Sequence, residues 1–126
     1  MTGFEYQCLA MRTNDRKATN RLLNVTISDG FVMEDTGAIL DACLGLSGEV
    51  GEFNDMIKKW IFHEKELDVE HLKKECGDVM WYVAMLCDAF NWSLDDVMQT
   101  NIDKLRERYP DGFDVRRANN RKAGDV

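Results

Sequence analysis

Gly48-Glu49-Val50-Gly51-Glu52-Phe53 and, 22 residues after Glu52, Glu75-Cys76-Gly77-Asp78-Val79 carry the fold and the chemistry of this chain together. Each holds a carboxylate pair at a spacing of three, and each lies inside a helical pattern. The first pair sits beside the apolar stripe Ile39, Cys43, Leu46, Val50, Phe53, Ile57, Trp60. The second sits beside Leu72, Cys76, Val79, Val83, Leu86, Phe90. Steps alternating between three and four mark long amphipathic helices. Residues three apart are neighbours on one helix face, so each pair presents two acids side by side.

The two helices are expected to pack together. The connector from His63 to about Leu67 is short and polar, which predicts an antiparallel hairpin. At about 100° per residue, Glu49 and Glu52 lie roughly 60° and 120° to one side of their stripe. Glu75 and Asp78 lie roughly 40° and 100° to the same side of theirs. Antiparallel packing carries one flank onto the same flank of the partner. Glu52 and Asp78 also fall at equal heights, each about 15 Å from the hairpin end at 1.5 Å per residue. Four carboxylates so gathered repel one another unless a cation sits among them.

The chain has 126 residues, a net charge of −7, 31% charged and 44% apolar residues. This is the composition of one soluble globular domain, residues 1–126, with its core at 38–113. The acidic balance argues against nucleic-acid binding, so an anionic ligand needs a metal or a local basic group. No apolar run approaches the ~18 residues of a membrane span, and no signal-peptide pattern opens the chain. Cys8, Cys43, Cys76 and Cys87 lack C-x-x-C spacing, and two of them fall on the stripes. Buried, reduced thiols in a cytoplasmic protein are expected rather than disulfides.

Along the chain, Phe4–Met11 reads as a short helix and 16–26 as a weaker one. Ser28-Asp29-Gly30 reads as a turn, and Glu34-Asp35-Thr36 as the start of the first long helix. Gly45, Gly48 and Gly51 inside that helix each cost about 1 kcal/mol relative to alanine, which points to close approach by another helix or by a ligand. Asp68 is placed to cap the second long helix and Asn91 to end it. Ser93 with Asp96 resembles a capping box for a third helix. On that helix Asn101, Lys104 and Arg108 share a face, either a solvated basic face or one that meets an anion. Tyr109-Pro110-Asp111-Gly112-Phe113 breaks it. The residues 114–126 form a basic tail, mobile or held at an oligomer contact.

Neither histidine is placed as a metal ligand: His63 lies in the connector and His71 has no partner at ligand spacing. An oxygen-only site favours Mg²⁺ or Mn²⁺ over zinc or iron and counts against a ferritin-like di-iron centre. Such ions commonly bridge phosphate oxygens, with Lys104 and Arg108 available for the remaining charge. No P-loop or dinucleotide fingerprint is present. Met56, Ile61, Trp81 and Met85 fall off the main stripes, so the helices need a further apolar partner. Trp60, Trp81 and Tyr82 either pack in the core or stack on a base.

Glu49-x-x-Glu52 and Glu75-x-x-Asp78 in these glycine-rich settings, with Asn101-x-x-Lys104-Leu105-x-x-Arg108-Tyr109-Pro110-Asp111-Gly112-Phe113, resemble small single-domain MazG-type nucleotide pyrophosphohydrolases. Tyr6-Gln7 with Met11-Arg12-Thr13 resembles them more loosely, and residues 14–38 depart from the pattern. The resemblance implies an all-α fold, a four- or five-helix bundle-like domain completed by oligomerisation into a homodimer or homotetramer. It implies Mg²⁺-dependent hydrolysis of a nucleoside triphosphate to monophosphate and pyrophosphate in nucleotide-pool house-cleaning. Glu49, Glu52, Glu75 and Asp78 match the family's metal ligands and catalytic acids, with either Glu49 or Glu52 serving as base instead. Lys104 and Arg108 match phosphate-contacting positions, and Asn101 and Tyr109 match the lining of the nucleotide site. The implied reaction is attack of a metal-activated water at the α–β phosphate linkage. The alternatives are a dUTPase- or dCTPase-type specialist and a non-catalytic, cation-binding helical interaction module.

Overall fold

A computed structural model describes residues 1–28 and 33–125. Among them are six helices and no strand: α1 (Gly3–Met11), α2 (Ala18–Ser28), α3 (Met33–Phe62), α4 (Val69–Ala89), α5 (Leu94–Arg108) and α6 (Val115–Asn119). The all-α class is the one the family resemblance implies, and the long helices are those the periodicity predicts. Of the expected turn at Ser28-Asp29-Gly30, Ser28 belongs to α2, and Asp29 and Gly30 lie outside the described residues. No helix among the described residues is long and apolar enough to cross a membrane.

The chain divides into two compact units, Met1–Gly37 and Ala38–Val126. In the first, Thr2 and Glu5 form a reciprocal capping box that starts α1. Asp15 accepts from the Lys17 backbone and pairs with Arg21 at 2.5 Å, which ties the α1–α2 connection to α2.

The second unit is built on the α3–α4 hairpin. Asp68 caps α4 as expected, accepting from the His71 N–H at 2.9 Å. Asn91, at φ 55°, ends it. The Asn91 and Trp92 N–H groups donate to the Asp88 and Cys87 carbonyls, satisfying the last turn as left-handed caps do. Phe90 and Trp92 then stack across Asn91, with ring centroids 4.5 Å apart.

Ser93 occupies the N-cap of α5, but its side chain makes no capping hydrogen bond, so the expected box with Asp96 does not form. Asp95 and Asp96 instead supply negative charge at the positive end of the helix. Beyond α5, Gly112 at φ 93° turns the chain, and Asp114 caps α6 through the Arg117 N–H. The segment expected as a basic tail therefore contains a helix, and it turns back on α5.

The hairpin's stripes are half-covered. The buried apolar residues among those described are Ala42 and Cys87. Cys8, Cys43 and Cys76 are exposed, so the expectation of buried thiols holds for Cys87 alone; all four are free. Trp60, Ile61, Phe62 and Trp81 stand exposed, Phe62 at 75% and Trp81 at 60%. Two facing helices cover only one side of each other's stripes, which is why these residues face outward.

Candidate metal centre and phosphate cleft

The register of the hairpin fixes which acids meet. A Cβ built on Gly45 would overlap the Tyr82 ring, so that ring seats in the notch left by the glycine. Gly45 of α3 therefore stands opposite Tyr82 of α4. Antiparallel packing then sets Glu75, two turns before Tyr82, opposite Glu52, two turns after Gly45. Glu49, Glu52 and Glu75 each offer a carboxylate oxygen, and these lie within 4.8 Å of one another. The expected match of Glu52 with Asp78 is displaced by about one turn. Asp78 is exposed and stands outside this closest group, yet its charge still acts on Glu49.

Glu75 is the buried member, 6% exposed, and it is held from its own helix. His71 Nε2 lies 2.7 Å from Glu75 Oε1, one turn earlier. His71, expected to have no useful partner, thus orients a carboxylate of the cluster. Desolvation raises the Glu49 pKa above its ordinary value. Repulsion from Glu52, Asp78 and Glu75 adds to this, as does a hydrogen bond with Glu75.

A further acid, Asp55, lines the same cleft one turn after Glu52. Hydrogen bonds from Lys58 and Lys59, each at 2.5 Å, hold its pKa down at about 2. Two lysines of its own helix answer its charge, whereas the partner of Glu75 is the His71 imidazole. Gly48 and Gly51 line the cleft, about 410 Å³ in volume, and a Cβ at either would meet nothing within 4 Å. Of the three glycines, Gly45 serves helix contact, whereas Gly48 and Gly51 leave space beside the acids. A clustered all-carboxylate donor set, whose charges raise the proton affinity of Glu49, fits a hard divalent cation.

Lys104 and Arg108 lie in a different cleft, about 480 Å³, between α5 and the C-terminal segment, which adds Arg117, Arg121, Lys122 and Asp125. Arg108 Nε donates to Asp125 Oδ2 at 2.7 Å, and its second donor bonds Asp125 Oδ1. This bidentate pair raises the Arg108 pKa and lowers that of Asp125. The Arg108 guanidinium also lies 5.9 Å from the Tyr109 ring centroid, and that ring packs against Phe113. Neither Asn101 nor Tyr109 lines this cleft, and the two clefts share no lining residue. The acids are thus gathered, as are Lys104 and Arg108, but in separate clefts.

Three participants escaped the sequence reading. His71 was legible as the residue four before Glu75. Asp55 was legible as an acid three after Glu52, with lysines three and four beyond it. Asp125 carried no local signal, since its partner lies 17 residues away. The aromatic alternatives also divide: Tyr82 packs on Gly45, while Trp81 stands edge-on to it at 5.0 Å and faces outward.

The chain is 40% identical over 70 residues to the "Gene 37 protein" of Mycobacterium phage L5, covering 52% of this chain and 60% of the phage protein's length. It is 32% identical over 80 residues to the "Uncharacterized protein YvdC" of Bacillus subtilis (strain 168), covering 64% of this chain and 71% of that protein. No solved structure gives a significant match. The model of the MazG nucleotide pyrophosphohydrolase domain matches residues 40–113, a stretch that contains both carboxylate pairs and the α5 cations. With more than half of its length matched and its acids gathered on the α3–α4 hairpin, the chain belongs to the MazG nucleotide pyrophosphohydrolase family.

Proposed function

We propose that this protein hydrolyses a nucleoside triphosphate to the monophosphate and pyrophosphate with Mg²⁺, for which Mn²⁺ can substitute, as a house-cleaning enzyme of the cytoplasmic nucleotide pool. The observation that carries the reading is the convergence of Glu49, Glu52 and Glu75 inside the family's matched region. Glu75, buried and held by His71, is the fixed ligand, and Asp78 completes the set from one turn further along α4. Glu49 and Glu52 supply one further ligand and the base that takes the proton from the attacking water. When bound, the cation would neutralise charge on the phosphate oxygens and lower the pKa of that water. Lys104 and Arg108 hold the remaining phosphate charge, and Asn101 and Tyr109 line the nucleotide site.

Two features support a site completed by a second copy, in a homodimer or homotetramer. The acid and basic clefts share no residue within one chain. The hairpin also leaves Trp60, Ile61, Phe62 and Trp81 exposed. The test is pyrophosphate release from a panel of canonical and modified dNTPs with Mg²⁺, in the parent, Glu52→Gln and Asp78→Asn. Turnover that both substitutions abolish, with helical content intact by circular dichroism, is expected. No turnover with any nucleotide, together with Mg²⁺-dependent melting, would instead establish a structural cation site.

A further inference from the structure

Arg108 already holds an anion. Asp125 meets it with both carboxylate oxygens, and the positive charges of Arg121 and Lys104 act on that same carboxylate. The pair is largely removed from water, with side-chain exposures of 10% and 19%. A two-pronged contact to a guanidinium among further cations is what a phosphate group would make in this place. The chain reaches the position through a turn: the Asp125 N–H donates to the Lys122 carbonyl at 3.0 Å, and Gly124 between them sits at φ 85°. That backbone conformation suits glycine and directs the following carboxylate into the cleft.

We propose that Asp125 is an internal competitor of the substrate, occupying the polyphosphate seat of Arg108, Lys104 and Arg121 until a nucleotide's phosphates displace it. This rests on the proposed pyrophosphohydrolase function for its role, though not for its binding chemistry. Arg121 thereby becomes a further phosphate-binding residue beyond the α5 pair. On binding, the Asp125 carboxylate passes to water and the phosphate oxygens take its two donors. The cost of that exchange raises KM and leaves the chemical step alone.

The experiment compares the parent with Asp125→Asn and with Glu107→Gln, which removes the same charge from the same cleft but is paired with Lys122 rather than Arg108. Binding of inorganic tripolyphosphate is measured by calorimetry, and KM and kcat by pyrophosphate release with Mg²⁺. Asp125→Asn is expected to bind tripolyphosphate roughly tenfold more tightly. Its KM should fall by a similar factor with kcat unchanged, and Glu107→Gln should change affinity by less than about twofold. Gly124→Ala, which strains the turn without altering charge, should tighten binding in the same direction and decides the matter should Asp125→Asn not fold. Unchanged or weaker tripolyphosphate binding would overturn the proposal and leave Asp125 as a support for Arg108. Tighter binding without turnover in any variant would overturn the catalytic reading and leave the competitor standing.

Discussion

The two clefts of the second unit answer charge in opposite ways. In the α3–α4 cleft, three carboxylates crowd together, and an imidazole meets the buried one, Glu75. In the α5 cleft, Arg108, proposed to hold phosphate, is already paired with a carboxylate of its own chain. Like charges gathered at the first site would gain from a cation, whereas the carboxylate paired with Arg108 at the second would have to give way to an incoming anion. A cluster of like charges therefore points to a ligand more strongly than a neutralised pair does, and substitutions in the two clefts should differ in kind as well as in size.

The largest effects should come from the acid cleft. Glu75→Gln removes the buried carboxylate proposed as a ligand and should lower kcat/KM by well over about 100-fold, beyond the 10- to 100-fold usual for a group that only orients a ligand. His71→Ala belongs to that orienting class. It should raise the Mg²⁺ concentration for half-maximal activity by about 10-fold or more, with kcat recovering at saturating metal. A metal titration of both variants checks this. Equal losses of kcat that no metal concentration recovers would make His71 part of the reaction itself and dissolve the distinction between ligand and support.

The hairpin's glycines sharpen the comparison at the level of folding. Gly45, Gly48 and Gly51 look alike in sequence, at equal spacing on one helix, yet the structure gives them different surroundings. Gly45→Ala must displace the Tyr82 ring and should destabilise the fold by about 1–3 kcal/mol, as overpacking does. Gly48→Ala meets open space and should stabilise α3 by up to about 1 kcal/mol through helix propensity. Urea melts of the two variants should move in opposite directions. A shared direction would mean that the Tyr82–Gly45 notch does not set the register.

These glycines also show where the sequence was informative and where it was not. Period alone predicted the long helices, and the short connector predicted that they run antiparallel, because both follow from local spacing. The acids' common flank followed from the same geometry. Their register did not: it depends on one ring entering one notch, and equal helix heights matched Glu52 with Asp78 instead of Glu75. His71 has no ligand spacing of its own, because its contact is with the carboxylate one turn along its helix. Asp125 was out of reach of any pattern, being brought to Arg108 by the turns around Gly112 and Gly124. The thiols of Cys43 and Cys76 were expected to be buried because they lie on apolar stripes, and a single hairpin covers only part of each stripe.

The smallest expected effect tests the repulsion within the acid cleft directly. The Glu49 carboxyl binds its proton more tightly in the metal-free folded protein than at its ordinary pKa of 4.5. Such a group contributes stability that is complete below the unfolded value and is lost as pH rises through the folded one. Asp55 and Asp125, whose pKa values are lowered, act in the opposite sense, and their contributions fade only at more acidic pH. Between neutral pH and the ordinary Glu49 value of 4.5 the metal-free parent should therefore gain a little in melting temperature relative to Glu49→Gln. Mg²⁺ should compete with that proton, so its stabilising shift should be larger at the higher pH. Thermal melts at the two pH values, with and without Mg²⁺, measure both. A Mg²⁺ shift that is the same at both pH values, or equal in Glu49→Gln, would remove Glu49 from the cation's ligands and leave Glu52, Glu75 and Asp78 to hold it.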